Sequence, residues 1–169
     1  DAAVTGGNNT SIGANTLTLN TSGQKNSALG SGALSANTTG SHNTAIGYES
    51  MDQNTDGTNN TAVGFQAGIS VTTGINNTFI GSAAGDAQTV ADNNTAVGFE
   101  ALSTNVNGSG SVAIGYRALK TQNYSSATDS FNVAVGNAAG TAVTTGTKNT
   151  FIGHQAGDSK HSAWCFCSR

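Results

Sequence analysis

Residues 59–64 read Asn-Asn-Thr-Ala-Val-Gly, and close copies of this motif recur along almost the whole chain. The sequence before the motif is also repeated: residues 71–74 and 143–146 both read Val-Thr-Thr-Gly, and each segment is followed by Asn-Thr-Phe-Ile-Gly. Nine glycines end the motif and are called bend glycines here: Gly13, Gly30, Gly47, Gly64, Gly81, Gly98, Gly115, Gly136 and Gly153. Their spacing is 17 residues six times, then 21, then 17. A near-constant period of this length predicts a stack of similar coils.

Each motif alternates polar and apolar residues as a short β-strand does. The residue before each bend glycine is always branched and apolar, and we name this set the Ile/Val column: Ile12, Leu29, Ile46, Val63, Ile80, Val97, Ile114, Val135 and Ile152. The residue three before the glycine lies on the same face, because strand side chains alternate. We predict that the Ile/Val column is the structural core column and that each glycine bends the chain into a weaker strand and a polar loop.

The composition favours repetition over an ordinary globular core. Charged residues make up 9% of the 169 residues, which include 23 Gly and no Pro, whereas about a quarter of a typical soluble domain is charged. No basic cluster suggests a nucleic-acid partner, and no apolar run is long enough for membrane insertion by this segment. Because the chain opens at Asp1 in loop-like sequence, we interpret it as a piece of a longer or processed protein.

One coil cannot stand alone, because burying one branched side chain gives about 1.5–3 kcal/mol and ordering costs about 1–2 kcal/mol per residue. Stacking joins the coils and makes the Ile/Val column continuous. A single-chain triangular β-helix would need strong apolar residues on three sides, and this chain supplies them on one. We therefore predict an all-β fold, a parallel β-roll or β-solenoid of nine coils of about 17 residues, whose column is covered by neighbouring turns and by sister chains in a homotrimer with closed symmetry.

Residues 110–118, Gly-Ser-Val-Ala-Ile-Gly-Tyr-Arg-Ala, resemble the Asn-Ser-Val-Ala-Ile-Gly-x-x-Ser repeat in heads of trimeric autotransporter adhesins. The resemblance extends from about Asn8 to Gly157, and similar repeats occur in phage tail fibres and other bacterial surface fibres. It implies a left-handed parallel β-roll of three chains side by side, which binds host matrix proteins, cells or other surfaces. The period here is longer than in the usual head repeat, so each coil has a larger loop.

The chain divides into a repeat domain, residues 1–157, and a C-terminal cap or tail, residues 158–169, which holds the only Trp and both cysteines. A cap would cover the edge of the last coil, as a solenoid requires. Cys165 and Cys167 are too close in sequence for a good internal bridge, so interchain disulfides are a candidate role.

The irregular 21-residue step predicts a longer loop at about residues 120–130, and Lys120, Tyr124 and Asp129 are its candidate ligand-contacting residues. Loops on rigid scaffolds often carry recognition, although a tolerated insertion is the simpler interpretation. No catalytic set, metal-ligand spacing or phosphate loop is apparent. We therefore expect no enzyme activity, no cofactor and no metal.

Aromatic residues alternate between two places in the motif. Where the residue two before the glycine is alanine, the residue after the glycine is often a ring, as with Ala62 and Phe65; where it is Phe79 or Phe151, the later residue is small or polar. We interpret this as competition of the two positions for one interior volume.

Two functions remain open. The first is an extracellular, cell-surface or virion-fibre module that binds a host or prey surface protein or glycan; the second is a purely structural fibre subunit. Ice binding is a weaker third, suggested by the residues three before each glycine, which we name the Thr column: Thr10, Ser27, Thr44, Thr61, Thr78, Thr95, Val112, Val133 and Thr150.

Overall fold

The computed structural model describes residues 6–158, and this part of the chain consists of short strands and turns without a helix. The strands are β1 (Thr10–Ile12), β2 (Ser27–Leu29), β3 (Thr44–Ile46), β4 (Thr61–Val63), β5 (Thr78–Ile80), β6 (Thr95–Val97), β7 (Gly108–Ser109), β8 (Val112–Ile114), β9 (Thr128–Asp129), β10 (Val133–Val135) and β11 (Thr150–Ile152). All except the short β7 and β9 end at the residue before a bend glycine.

The strands form one nine-stranded parallel sheet in the order β1-β2-β3-β4-β5-β6-β8-β10-β11. Equivalent repeat positions pair with each other, as in Thr44 with Thr61 and Ile46 with Val63. The chain is therefore an all-β parallel β-solenoid of about eight turns, and the prediction of coils stacked in the register of the repeat is confirmed. The four extra residues of the long step are absorbed outside this sheet, where β7 pairs with β9.

From β2 to β11, the middle residue of each three-residue strand points into the coil. This inner column is buried from β2 to β11 and consists of Ala28, Ala45, Ala62, Phe79, Ala96, Ala113, Ala134 and Phe151. Small side chains suffice because the coils are narrow and stack closely. A Cβ atom on Gly47, whose φ is 138°, would lie 2.2 Å from the carbonyl oxygen of Gly64 in the next coil. The bend glycine is thus required both by the backbone conformation and by contact between coils.

The Ile/Val column lies on the opposite, outer face of the sheet, because side chains alternate along each strand. Ile46 and Ile80, for example, are 38% and 41% exposed. Neighbouring turns therefore do not bury the column, and it is not the interior of the single chain, contrary to part of the sequence-based prediction. Its burial between sister chains stays a prediction.

A second inner column comes from the fourth residue after each bend glycine. Leu34, Met51, Leu102 and Leu119 are fully buried there. The glycines at this position, Gly68 and Gly85, flank the ring of Phe79, and an added Cβ would lie 2.7 Å and 2.5 Å from its ring carbons. The large ring of the first inner column thus fills the space that the second column leaves empty. The predicted competition with the residue after the bend glycine is wrong, because those rings lie outside: Phe65 is 52% exposed.

Buried asparagines four residues before the bend glycines form a ladder along the coils. Asn60 shows the pattern: its side-chain carbonyl accepts a hydrogen bond from the backbone N–H of Asn77 at 2.8 Å, and its amide donates to the carbonyl of Gly74 at 2.7 Å. A second ladder, seven residues after the glycine, links the amide of Asn37 to Asn20 and that of Asn54 to Asn37. It stops where Val71 follows, and the side-chain oxygen of Asn54 is left buried without a partner. These ladders satisfy backbone groups that the three-residue strands leave unpaired.

Candidate functional site

The outer face of the nine-stranded sheet is the first candidate site. It presents the Ile/Val column beside the Thr column, so that each strand shows one hydroxyl or small group and one branched apolar group. In the middle of the sheet Ile114 is 39% exposed, whereas the terminal Ile12 and Ile152 reach 59% and 69% because a strand covers them on one side only. The result is an apolar stripe as long as the sheet. Extended apolar patches of this kind mark interaction surfaces.

A second exposed feature is the ring column, which consists of the residues directly after the bend glycines and contains Tyr48, Phe65, Phe99 and Tyr116. Tyr48 stacks on Phe65, and Phe99 stacks on Tyr116, with ring centres 5.6 Å apart in both pairs. The repeat brings these rings side by side because the chain advances one coil between them. The signal in the sequence is the ring that recurs after the glycine, but the sequence alone predicts interior packing for it, and these rings are exposed.

Polar pairs run beside the ring column, one residue further along the chain. The amide of Gln66 donates to Glu49 at 2.8 Å, and Arg117 Nε lies 2.7 Å from Glu100. Glu100 also meets Lys120 Nζ at 2.6 Å, and the hydrogen bond from Lys120 lowers the pKa of the Glu100 carboxyl, helped by the bond from Arg117. The hydrogen bond from Gln66 similarly lowers the pKa of Glu49. Both carboxylates are therefore held ionised and oriented at the surface.

The three candidate residues of the long loop lie in different surroundings. Tyr124 is buried, 7% exposed, and its hydroxyl donates to the carbonyl of Gly146 at 2.7 Å. Lys120 belongs to the ion pair with Glu100. Asp129 is exposed in β9. The loop residues thus do not converge on one surface, and the buried Tyr124 packs against Gly108, where an added Cβ would meet its ring at 2.7 Å. Recognition by this loop stays a prediction.

The cysteines Cys165 and Cys167 and nearly all of the proposed tail lie outside the described residues, as do residues 1–5. Within residues 6–158 no group of three or more His, Cys, Asp or Glu side chains is placed to hold a metal ion. The same part of the chain has no helix that is long and apolar enough to cross a membrane.

No family model, no curated protein and no solved structure matches the chain.

Proposed function

We propose that this chain is a module of an extracellular adhesin-like head or fibre, which associates with two copies of itself through the Ile/Val column and presents its coils to a ligand on a host or other cell surface. The module works at the cell surface or on a virion fibre. It supplies a rigid scaffold and a repeated surface, and no chemical step is assigned to it.

The exposed Ile/Val column is the observation that carries this proposal. The stripe is continuous because every strand of the large sheet contributes one branched apolar side chain in the same register. Covering such side chains stabilises by about 25 cal/mol for each Å² of apolar surface removed from water. Identical stripes around a closed rotation axis cover one another without leaving an open end for further growth. This supports three sister chains side by side, as the resemblance to adhesin heads implies.

A purely structural fibre subunit is the second candidate. The observation that favours it is the uniformity of the coils, whose ladders and inner columns serve stacking alone. The two candidates share the same assembly and differ in whether the coil surface has a ligand of its own.

Measurement of the mass in solution by light scattering tests the assembly. We expect three times the chain mass of 16.7 kDa. The variant Ile46→Lys/Ile80→Lys places two charges in the stripe, and we expect it to lower the mass toward that of one chain, because buried unpaired charges are strongly unfavourable.

The matched control, Gln53→Lys/Thr73→Lys, adds the same charge at exposed positions outside the sheet and should leave the mass unchanged. A monomeric wild-type chain would overturn the assembly. If that monomer also showed thermal hysteresis, the outer face with its Thr and Ile/Val columns would point to ice binding instead.

A further inference from the structure

The ring column has one gap in its central part. Over five consecutive coils it contains Tyr48, Phe65, Ser82, Phe99 and Tyr116, so that a small residue stands where the middle ring of five would be. The rings on either side form two separate stacked pairs, with planes inclined by only 10° and 12°. Because the coils repeat, the unpaired faces of Phe65 and Phe99 look toward each other across Ser82.

The height of this gap fits a single ring. Strands β4, β5 and β6 are successive neighbours in the sheet, and adjacent strands lie about 4.8 Å apart. Two such steps separate Phe65 from Phe99 by about 10 Å, so that an inserted ring would lie about 5 Å from each, within the distance range of stacked rings. We name the space between Phe65 and Phe99 above Ser82 the ring slot.

Both walls of the ring slot are braced. Tyr48 backs Phe65, and Tyr116 backs Phe99, where the guanidinium carbon of Arg117 lies 4.9 Å from the centre of the Tyr116 ring. The walls are therefore fixed before any ligand binds, which lowers the ordering cost of binding.

The residues directly after the ring column form a neighbouring column, and this column also has a small residue at the level of Ser82. Gln66 next to one wall is bound to Glu49, and Glu100 next to the other wall is bound to Arg117, whereas the residue between them is Ala83. The slot thus has small residues in both columns at its floor and rings at its two walls. Gln66 and Glu100 lie beside the walls, and their bonds to Glu49 and Arg117 run to the coils on the far side of each wall.

We propose that the ring slot binds one pyranose ring of a surface glycan. The C–H groups on the two faces of the sugar lie against Phe65 and Phe99, whose ring faces are electron-rich. The hydroxyls at the sugar edge exchange hydrogen bonds with Ser82, Gln66 and Glu100. This rests on the ligand-binding half of the proposed function and names the ligand class for it.

The polar groups beside the ring slot make a cation or an aromatic side chain a poorer ligand than a sugar ring. A cationic group would be drawn to ring faces, but the carboxylate of Glu100 is already paired with Arg117 and Lys120. Gln66 bonds Glu49 through Nε2, and Arg117 and Lys120 both bond Oε2 of Glu100, so that Gln66 Oε1 and Glu100 Oε1 can still accept hydrogen bonds. An aromatic side chain would satisfy the walls but has no hydroxyls along its edge to donate to these two oxygens. A sugar ring has apolar faces and a polar edge, which matches both.

The test uses the full chain on an array of immobilised oligosaccharides, followed by calorimetric titration with the free saccharide that binds. The deciding variant is Ser82→Tyr, which supplies the missing ring from the chain itself. It extends a stacking pattern that four coils already use, so the fold should be kept or stabilised, and we expect at least a tenfold loss of saccharide affinity.

The matched control is Ser31→Tyr, which adds the same ring on the far side of Tyr48 and leaves the slot open. It should bind as the wild type does. Equal binding by both variants would overturn the slot as the site, and absence of saccharide binding by the wild type would do the same while the light-scattering mass still tests the assembly. A fall in mass for Ser82→Tyr alone would also overturn the proposal, because it would place the slot in the interface between chains.

Discussion

The two faces of the same three-residue strands carry apolar side chains of different size. The inner face carries alanine in most coils, and the outer face carries isoleucine, leucine or valine in all of them. In a globular domain the larger apolar residue would face inward. Here coil spacing limits the interior to small side chains and amide ladders, and the larger residues are left for an interface. Alternation alone identifies two faces, but the size of the residues does not identify which is inside.

The largest effect should come from the inner column at its one fully buried ring. Phe79→Ala removes a ring enclosed by Gly68 and Gly85, and loss of a buried phenylalanine costs about 3–5 kcal/mol of unfolding free energy. Chemical denaturation measures the loss. The outer-face change Ile80→Ala on the same strand should cost clearly less, when both changes are made in a chain kept monomeric by Ile46→Lys/Ile114→Lys in the stripe.

The double variant Phe79→Ala/Gly85→Leu sharpens this comparison. It rebuilds the combination of small and large residues found in the Gly115 coil, where Ala113 and Leu119 are both buried. Gly85→Leu alone should be destabilising, because its side chain would run into the Phe79 ring. We expect the double variant to be more stable than either single one, and additive losses would contradict the exchange of volume between the two inner columns.

A smaller effect is expected in the asparagine ladder. Asn60→Ala leaves the N–H of Asn77 and the carbonyl of Gly74 without their side-chain partner, and an unpaired buried polar group costs about 1–3 kcal/mol. The control Thr61→Ala changes the neighbouring residue on the outer face and should cost less. Thermal melting of the two variants at one protein concentration checks the order, and equal losses would contradict a larger contribution of the ladder than of the outer-face residue beside it.

The smallest effect should depend on pH. Asp86 lies in the turn after Phe79, and burial raises the pKa of its carboxyl, with a further contribution from nearby Glu100. Because the folded-state pKa lies above the unfolded one, the ionised carboxylate opposes folding, an effect absent below the unfolded pKa and fully present above the folded one. Asp86→Asn should therefore raise Tm at pH 7 and not at pH 3. A gain that persists unchanged at pH 3 would assign it to another cause.

The repeat period, the strands, the parallel register and the bend glycines were all predictable, because they depend on local alternation and on spacing. The orientation of the faces was not, since Ile46 and Ala45 satisfy the same alternation from either side. Backbone geometry was also hidden: Met51 and Gln66 adopt φ values of 50° and 53°, a left-handed conformation that such residues rarely favour. Contacts between coils enforce this left-handed conformation, and the sequence of a single coil does not reveal those contacts.

The ring column shows the same limit. Its residues were visible as recurring aromatics, but stacked rings such as Tyr48 and Phe65 lie 17 positions apart in the chain, and their contact exists only once the coils are in register. Ser82 can be recognised as a gap between two rings only once the structure shows that Phe65 and Phe99 lie on either side of it.

The uniform register has one more consequence, which concerns length. Each strand residue pairs with the one 17 positions later over the first seven strands of the large sheet. Cutting out 17 consecutive residues there therefore rejoins two equivalent positions of the repeat. The rod then shortens by about 4.8 Å and keeps its cross-section. Unequal recombination within such a gene can therefore change the length of the rod in fixed increments while the fold stays the same.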